Sequence, residues 1–155
     1  MHPSLLIRRL PYEEPYHTQL EFIVSNGLLA VKVDIYCSVR DIADIGNALV
    51  TFPKEIGDQY VYEYGSEDPA AKFYRHLRLR AYTVGSVGHC ALQFTVNLNQ
   101  PQPDEGTTQF SLKADPAEIN RLGELLVTFS QLKHLELQWS PRESCLLEAY
   151  SERDA

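Results

Sequence analysis

Apolar and polar side chains alternate through Thr18–Val24 and again through Leu29–Ile35, with Asn26-Gly27 between the two runs. A period of two marks a strand with one buried face. Asn-Gly between such runs predicts a hairpin, because both central residues of a type I′ turn take positive φ. A two-residue turn there sets Phe22 opposite Val31, Leu20 opposite Val33 and Glu21 opposite Lys32. The period then changes. Ile42, Ile45, Leu49 and Phe52 fall on one helical stripe, Ser38 and Asp41 stand at capping-box spacing, and Pro53 ends the run. Tyr60–Tyr64 reads as a short strand and 65–69 as a turn.

A second hairpin is expected over 73–98. Leu77, Leu79 and Ala81 alternate with His76, Arg78, Arg80 and Tyr82. A two-residue turn at Gly85-Ser86 sets Ala81 opposite Cys90, Leu79 opposite Leu92 and Leu77 opposite Phe94. Its polar face then carries Arg78, Arg80, Tyr82, His89, Gln93, Thr95 and Asn97. A loop at 99–106 leads to a strand over Thr108–Lys113. Asp115 caps a second helix, with Pro116 at its first position and Glu118 beyond. That helix carries Ile119, Leu122, Leu126 and Phe129 as its stripe. Leu135–Trp139 alternates as a last strand, and a charged tail, 142–155, is expected to hold a short helix around Leu146 and Leu147.

The two helical segments match at an offset of 77: Ile42, Ile45, Gly46 and Leu49-Val50-Thr51-Phe52 align with Ile119, Leu122, Gly123 and Leu126-Val127-Thr128-Phe129. This predicts one domain over 1–155, with pseudo-symmetric strand-strand-helix halves at about 18–53 and 88–131. The expected fold is α+β, an antiparallel sheet of six or seven strands with two helices on one face. Gly46 and Gly123 sit on the apolar stripes, where glycine costs a helix ~1 kcal/mol relative to alanine. The recurrence predicts that backbone approaches the sheet or the other helix closely there.

Composition narrows the function classes. The 155 residues are 44% hydrophobic and 23% charged, enough to bury a core, with net charge −7 and pI near 5.2. An acidic total argues against nucleic acid as the partner. No apolar run approaches a membrane span, and Leu5-Leu6-Ile7 is too short for a signal peptide. Cys37, Cys90 and Cys145 form no metal or disulfide spacing, so reduced thiols in a cytoplasmic protein are expected.

No motif specifies a chemistry. His89 and Cys90 are adjacent in a strand and so point to opposite faces, which separates a would-be thiol and its base. His76, His89 and His134 show no zinc spacing. Phosphate-loop and nucleophile-elbow motifs are absent. Neither a catalytic set, a metal nor a cofactor is expected. Two surfaces remain. Tyr60, Tyr62, Glu63, Tyr64, Glu67 and Asp68 form an aromatic, acidic segment suited to a basic protein partner. Arg78, Arg80, Tyr82 and Gln93 form a polar sheet face suited to an anion.

The strand Leu77-Arg78-Leu79-Arg80, the hairpin after it and Ile119-Asn120-Arg121-Leu122-Gly123 opening the second helix resemble small bacterial families of immunity-protein-like α+β domains. That resemblance implies a cytosolic, acidic protein that binds and blocks a partner. The expected function is accordingly a non-enzymatic protein-binding module of the immunity type. The alternative is a small-ligand binder or enzyme using the sheet face around Arg78 and Arg80. A homodimer through the edge at Tyr60–Tyr64 is a further expectation, and neither nucleic acid nor a membrane is expected as partner.

Overall fold

The computed structural model describes residues 2–14 and 17–152, so tail residues 153–155 lie outside the described part. Its strands are β1 (Ser4–Leu10), β2 (Thr18–Ser25), β3 (Ala30–Cys37), β4 (Gln59–Tyr64), β5 (His76–Val84), β6 (His89–Asn97), β7 (Thr107–Ala114), β8 (Glu136–Trp139) and β9 (Ser144–Leu147). The helices are α1 (Val39–Val50) and α2 (Pro116–Phe129).

These strands make two antiparallel sheets, ordered β3-β2-β1-β8-β9 and β4-β5-β6-β7. The α+β antiparallel character stands, but the single sheet of six or seven strands is corrected. Two strands escaped the alternation. Leu5, Leu6 and Ile7 in β1 are all buried, so the strand shows a continuous apolar run in place of a period of two. Ser144–Leu147 pairs with β8 where a short helix was expected. No helix among the described residues is long and apolar enough to cross a membrane.

Both hairpin registers differ from expectation by two residues. Phe22 faces Val33 and Leu20 faces Ile35. Asn26 builds a four-residue loop, its side-chain oxygen accepting from the Leu28 and Leu29 amides at 2.8 and 2.7 Å. In the second hairpin Ala81 faces Leu92, Leu79 faces Phe94 and Leu77 faces Val96. Its loop is also four residues, Gly85–Gly88, with both glycines at positive φ. A slip of two leaves every side chain on its predicted face, because the pleat has period two.

The core lies between the sheets and the helices. Leu5 and Phe22 from one sheet, Leu77 from the other, Ile42 from α1 and Leu122 from α2 line one cavity of about 20 Å³. Ser38 caps α1 through its Oγ, which accepts from the Asp41 amide at 3.1 Å, while the Ser38 amide donates to Asp41 Oδ2 at 3.3 Å. The Asp115 amide donates to Glu118 Oε1 at 2.8 Å at the start of α2. The glycines mark where the helices meet. A Cβ on Gly123 would lie 2.5 Å from the Val50 nitrogen, and one on Gly46 would lie 2.9 Å from the Gly123 oxygen. The other helix, not the sheet, is therefore the close neighbour.

Strand β3 passes the end of the second sheet at which β4 and β6 finish and β5 and β7 begin. The Tyr64 hydroxyl lies near the Tyr36 backbone. The Tyr36 and Tyr74 rings lie 6.5 Å apart. Farther along, Ala30–Lys32 share a groove with Val96, Leu98 and Thr107.

Candidate functional site

The outer face of β4–β7 is set by alternation. Core residues Leu77, Leu79, Ala81, Leu92, Phe94 and Leu112 point one way, so the residues between them point out. Register places them in rows: Val61–Arg80–Gln93–Ser111, Glu63–Arg78–Thr95–Gln109 and Gln59–Tyr82–Ala91–Lys113. All four sequence-predicted ligand residues, Arg78, Arg80, Tyr82 and Gln93, therefore share this face, and each is partly exposed.

Arg80 is held from three sides. Its Nε donates to Gln59 Oε1 at 3.1 Å and its Nη1 to Gln93 Oε1 at 3.3 Å. Its guanidinium lies 4.2 Å from the centroid of the Tyr82 ring. Tyr82 is fixed in turn by a 2.8 Å hydrogen bond between its hydroxyl and Ser111 Oγ. Arg78 is different. Glu63 stands opposite it in register, but the Glu63 carboxylate turns to His76 Nε2 at 2.9 Å. Among the described residues the Arg78 guanidinium has no hydrogen-bond or ion-pair partner. In these three rows Arg78, Arg80 and Lys113 stand with one carboxylate, Glu63, which is already engaged. Such a face can hold phosphate by its free donors and a flat π system by its fixed ring.

The tyrosine–acid segment does not form one surface. Tyr60, Tyr62 and Tyr64 turn inward and pack against the core, while Glu63 faces out with Arg78. Burial first, then the Asp44 and Asp41 carboxylates, raise the Tyr60 pKa. Burial also raises Tyr62 and pushes the neighbouring Cys37 thiol up to about 12. Glu67 is exposed in the following loop, and Asp68 caps a short turn by accepting from the Ala70 amide at 3.0 Å. The alternation of Tyr60-Val61-Tyr62-Glu63-Tyr64 carried this split already. His89 is exposed and Cys90 buried, on opposite faces as expected.

Sequence reasoning missed a second cluster, at the end of the same sheet. Tyr36, Phe73 and Tyr74 are exposed large aromatics; Tyr64 meets Phe73 edge-on at 6.3 Å, and Arg75 lies 3.9 Å over the Tyr74 ring. Phe73, Tyr74 and Arg75 are consecutive and Tyr64 ends β4, but Tyr36 comes from β3, and only the passage of β3 past the sheet end brings it to them.

No protein-family model matches the chain, and no curated protein matches it. Its architecture is similar to solved structures of plant proteins. The transcriptional regulator PBF-2 shares 13% identity at a TM-score of 0.44, over 85% of this chain and 75% of that one. WHY1 from Arabidopsis thaliana shares 11% at 0.47, over 84% of each chain. WHY3 from the same plant shares 12% at 0.44, over 84% of this chain and 82% of that one. These findings correct the expected kinship with immunity proteins and the protein-binding, immunity-type function drawn from it: none of these similar structures is an immunity protein, and PBF-2 is a plant transcriptional regulator. The small-ligand or enzyme alternative gains no support from them. They also correct the exclusion of nucleic acid from the partners. The exclusion used the total charge, whereas a strand of nucleic acid meets only the local face, and that face is not acidic.

Proposed function

We propose that the chain binds single-stranded nucleic acid on the outer face of β4–β7. One observation carries the reading: an uncovered sheet face presents Arg78, with its guanidinium free, beside Arg80 stacked on the fixed ring of Tyr82. Phosphates are recognised by the guanidinium fork, and unpaired bases stack on aromatic or guanidinium planes whatever their sequence. Gln93 and Gln59 hold Arg80 in place and add amide donors at the rim. Residues 1–155 are treated as one domain with two related halves, supported by β3 and β7, and the helices after them, recurring 77 residues apart. A cytosolic location is supported by three free thiols.

The test is titration of labelled single-stranded DNA at low salt, against a duplex of the same sequence. The single strand is expected to bind more tightly, because a duplex keeps its bases stacked on each other. Arg78→Ala and Tyr82→Ala should each weaken binding, the latter by about 1–3 kcal/mol. No binding of the single strand, or equal binding of the duplex, overturns the reading.

A further inference from the structure

We infer that Phe73 and Tyr74, with Tyr36 and Tyr64 behind them, form a base-stacking platform that takes the strand as it leaves the sheet face. The inference rests on the single-strand reading above. Phe73 is 47% and Tyr74 48% exposed, although a core lies one strand away. The rings contact in two pairs, Tyr36 6.5 Å from Tyr74 and Tyr64 6.3 Å from Phe73, and the chain bond between Phe73 and Tyr74 sets the pairs side by side. The loop that presents them is held. Asn99 Nδ2 donates to the Ser66 and Phe73 carbonyls at 2.8 and 3.2 Å, and Arg75 Nη1 donates to the Leu98 carbonyl at 3.1 Å. Gly65 closes the loop at φ +72°, with its hydrogen against the Arg75 carbonyl, where a Cβ would lie at 2.2 Å. Rings fixed in place without a ligand lose little freedom on binding one.

Position and charge choose the occupant. Arg78 stands four positions after Tyr74, at most ~14 Å of extended chain. The platform therefore adjoins the phosphate-binding arginines. Asp34 and Glu13 lie near enough to Tyr36 to raise its pKa, after burial and alongside Tyr74. These carboxylates repel phosphate, so the strand must present its bases to the rings and keep its backbone outside. Arg75, 3.9 Å over the Tyr74 ring, extends the flat surface with a guanidinium plane.

Length dependence tests this. Labelled mixed-sequence DNA of about 12 nucleotides, within the range of single-strand sites on small folds, and a labelled dinucleotide, too short to reach from Arg78 to the rings, are titrated against the parent chain, Tyr82→Ala and a Phe73→Ala/Tyr74→Ala double variant. The double variant should lose about tenfold in affinity for the longer strand and nothing for the shorter one. Tyr82→Ala should weaken both. Tyr74→Phe, which keeps the ring, should bind both as the parent does, and the exposed positions should leave the melting temperature unchanged. Full retention of the longer strand by the double variant, or an equal loss on both lengths, overturns the platform alone. Failure of the parent to bind either strand overturns the sheet-face reading beneath it.

Discussion

Glu136 is fully buried at the start of β8, where a carboxylate survives only if every charge around it is answered. Arg8 Nε donates to its Oε1 at 3.0 Å, the Ser151 amide to the same oxygen at 3.1 Å, and Gln138 Nε2 to Oε2 at 2.6 Å. Burial alone would raise its pKa; the hydrogen bonds from Ser151, Gln138 and Arg8 outweigh it and leave the group below its ordinary 4.5. A depressed carboxylate stabilises the fold at neutral pH and loses that contribution as pH falls through the folded value, below about 4.5. Arg8→Met should therefore cost about 3 kcal/mol at pH 7 and much less at pH 3, where the carboxyl can protonate. Urea melts at the two values read the difference, and an equal cost at both would show that the charge is not what Arg8 serves. None of this was legible in the sequence, where Arg8 and Glu136 are 128 positions apart. The sheet-face residues were legible, because Arg78, Arg80, Tyr82 and Gln93 follow from alternation alone.

At the scale of elements, capping and periodicity spoke for themselves. Ser38 with Asp41 and Asp115 with Glu118 start their helices where their spacing says. Ser38→Ala should cost ~1 kcal/mol, measured by thermal melting. Loop length was not so legible. Asn26-Gly27 alone predicts a two-residue turn, but the Asn26 side chain reaches two amides beyond it and enlarges the loop. The pairing of two glycines at the helix crossing was legible as a need for closeness, though not its direction. Gly123→Ala supplies the decisive sign. Alanine at a helix interior normally gains ~1 kcal/mol over glycine. Here its Cβ would stand 2.5 Å from the Val50 nitrogen and 2.7 Å from the Gly46 oxygen, both backbone atoms. Overpacking should win and destabilise by about 1–3 kcal/mol, and a variant that melts higher than the parent would refute the close crossing.

Over the whole molecule, net charge and binding face pull in opposite directions. The chain carries −7, which repels a polyanion at long range, yet Arg78, Arg80 and Lys113 share one uncovered face. Salt separates the two contributions. Three cations on phosphates release counterions with a slope of about −0.7 each for single strands, so log affinity against log salt should fall with a slope of about −2. Carboxylates farther from the bound strand than a Debye length, about 10 Å at 0.1 M, are screened. Removing Arg78 should reduce the slope by about 0.7, while Tyr82→Ala should lower affinity and leave the slope alone, since a ring releases no counterion. Isothermal titrations across a salt series measure both quantities. A slope near zero would mean that the arginines do not meet phosphate. A slope unchanged in Arg78→Ala would move the electrostatic contact to another part of the surface, even if the strand still binds.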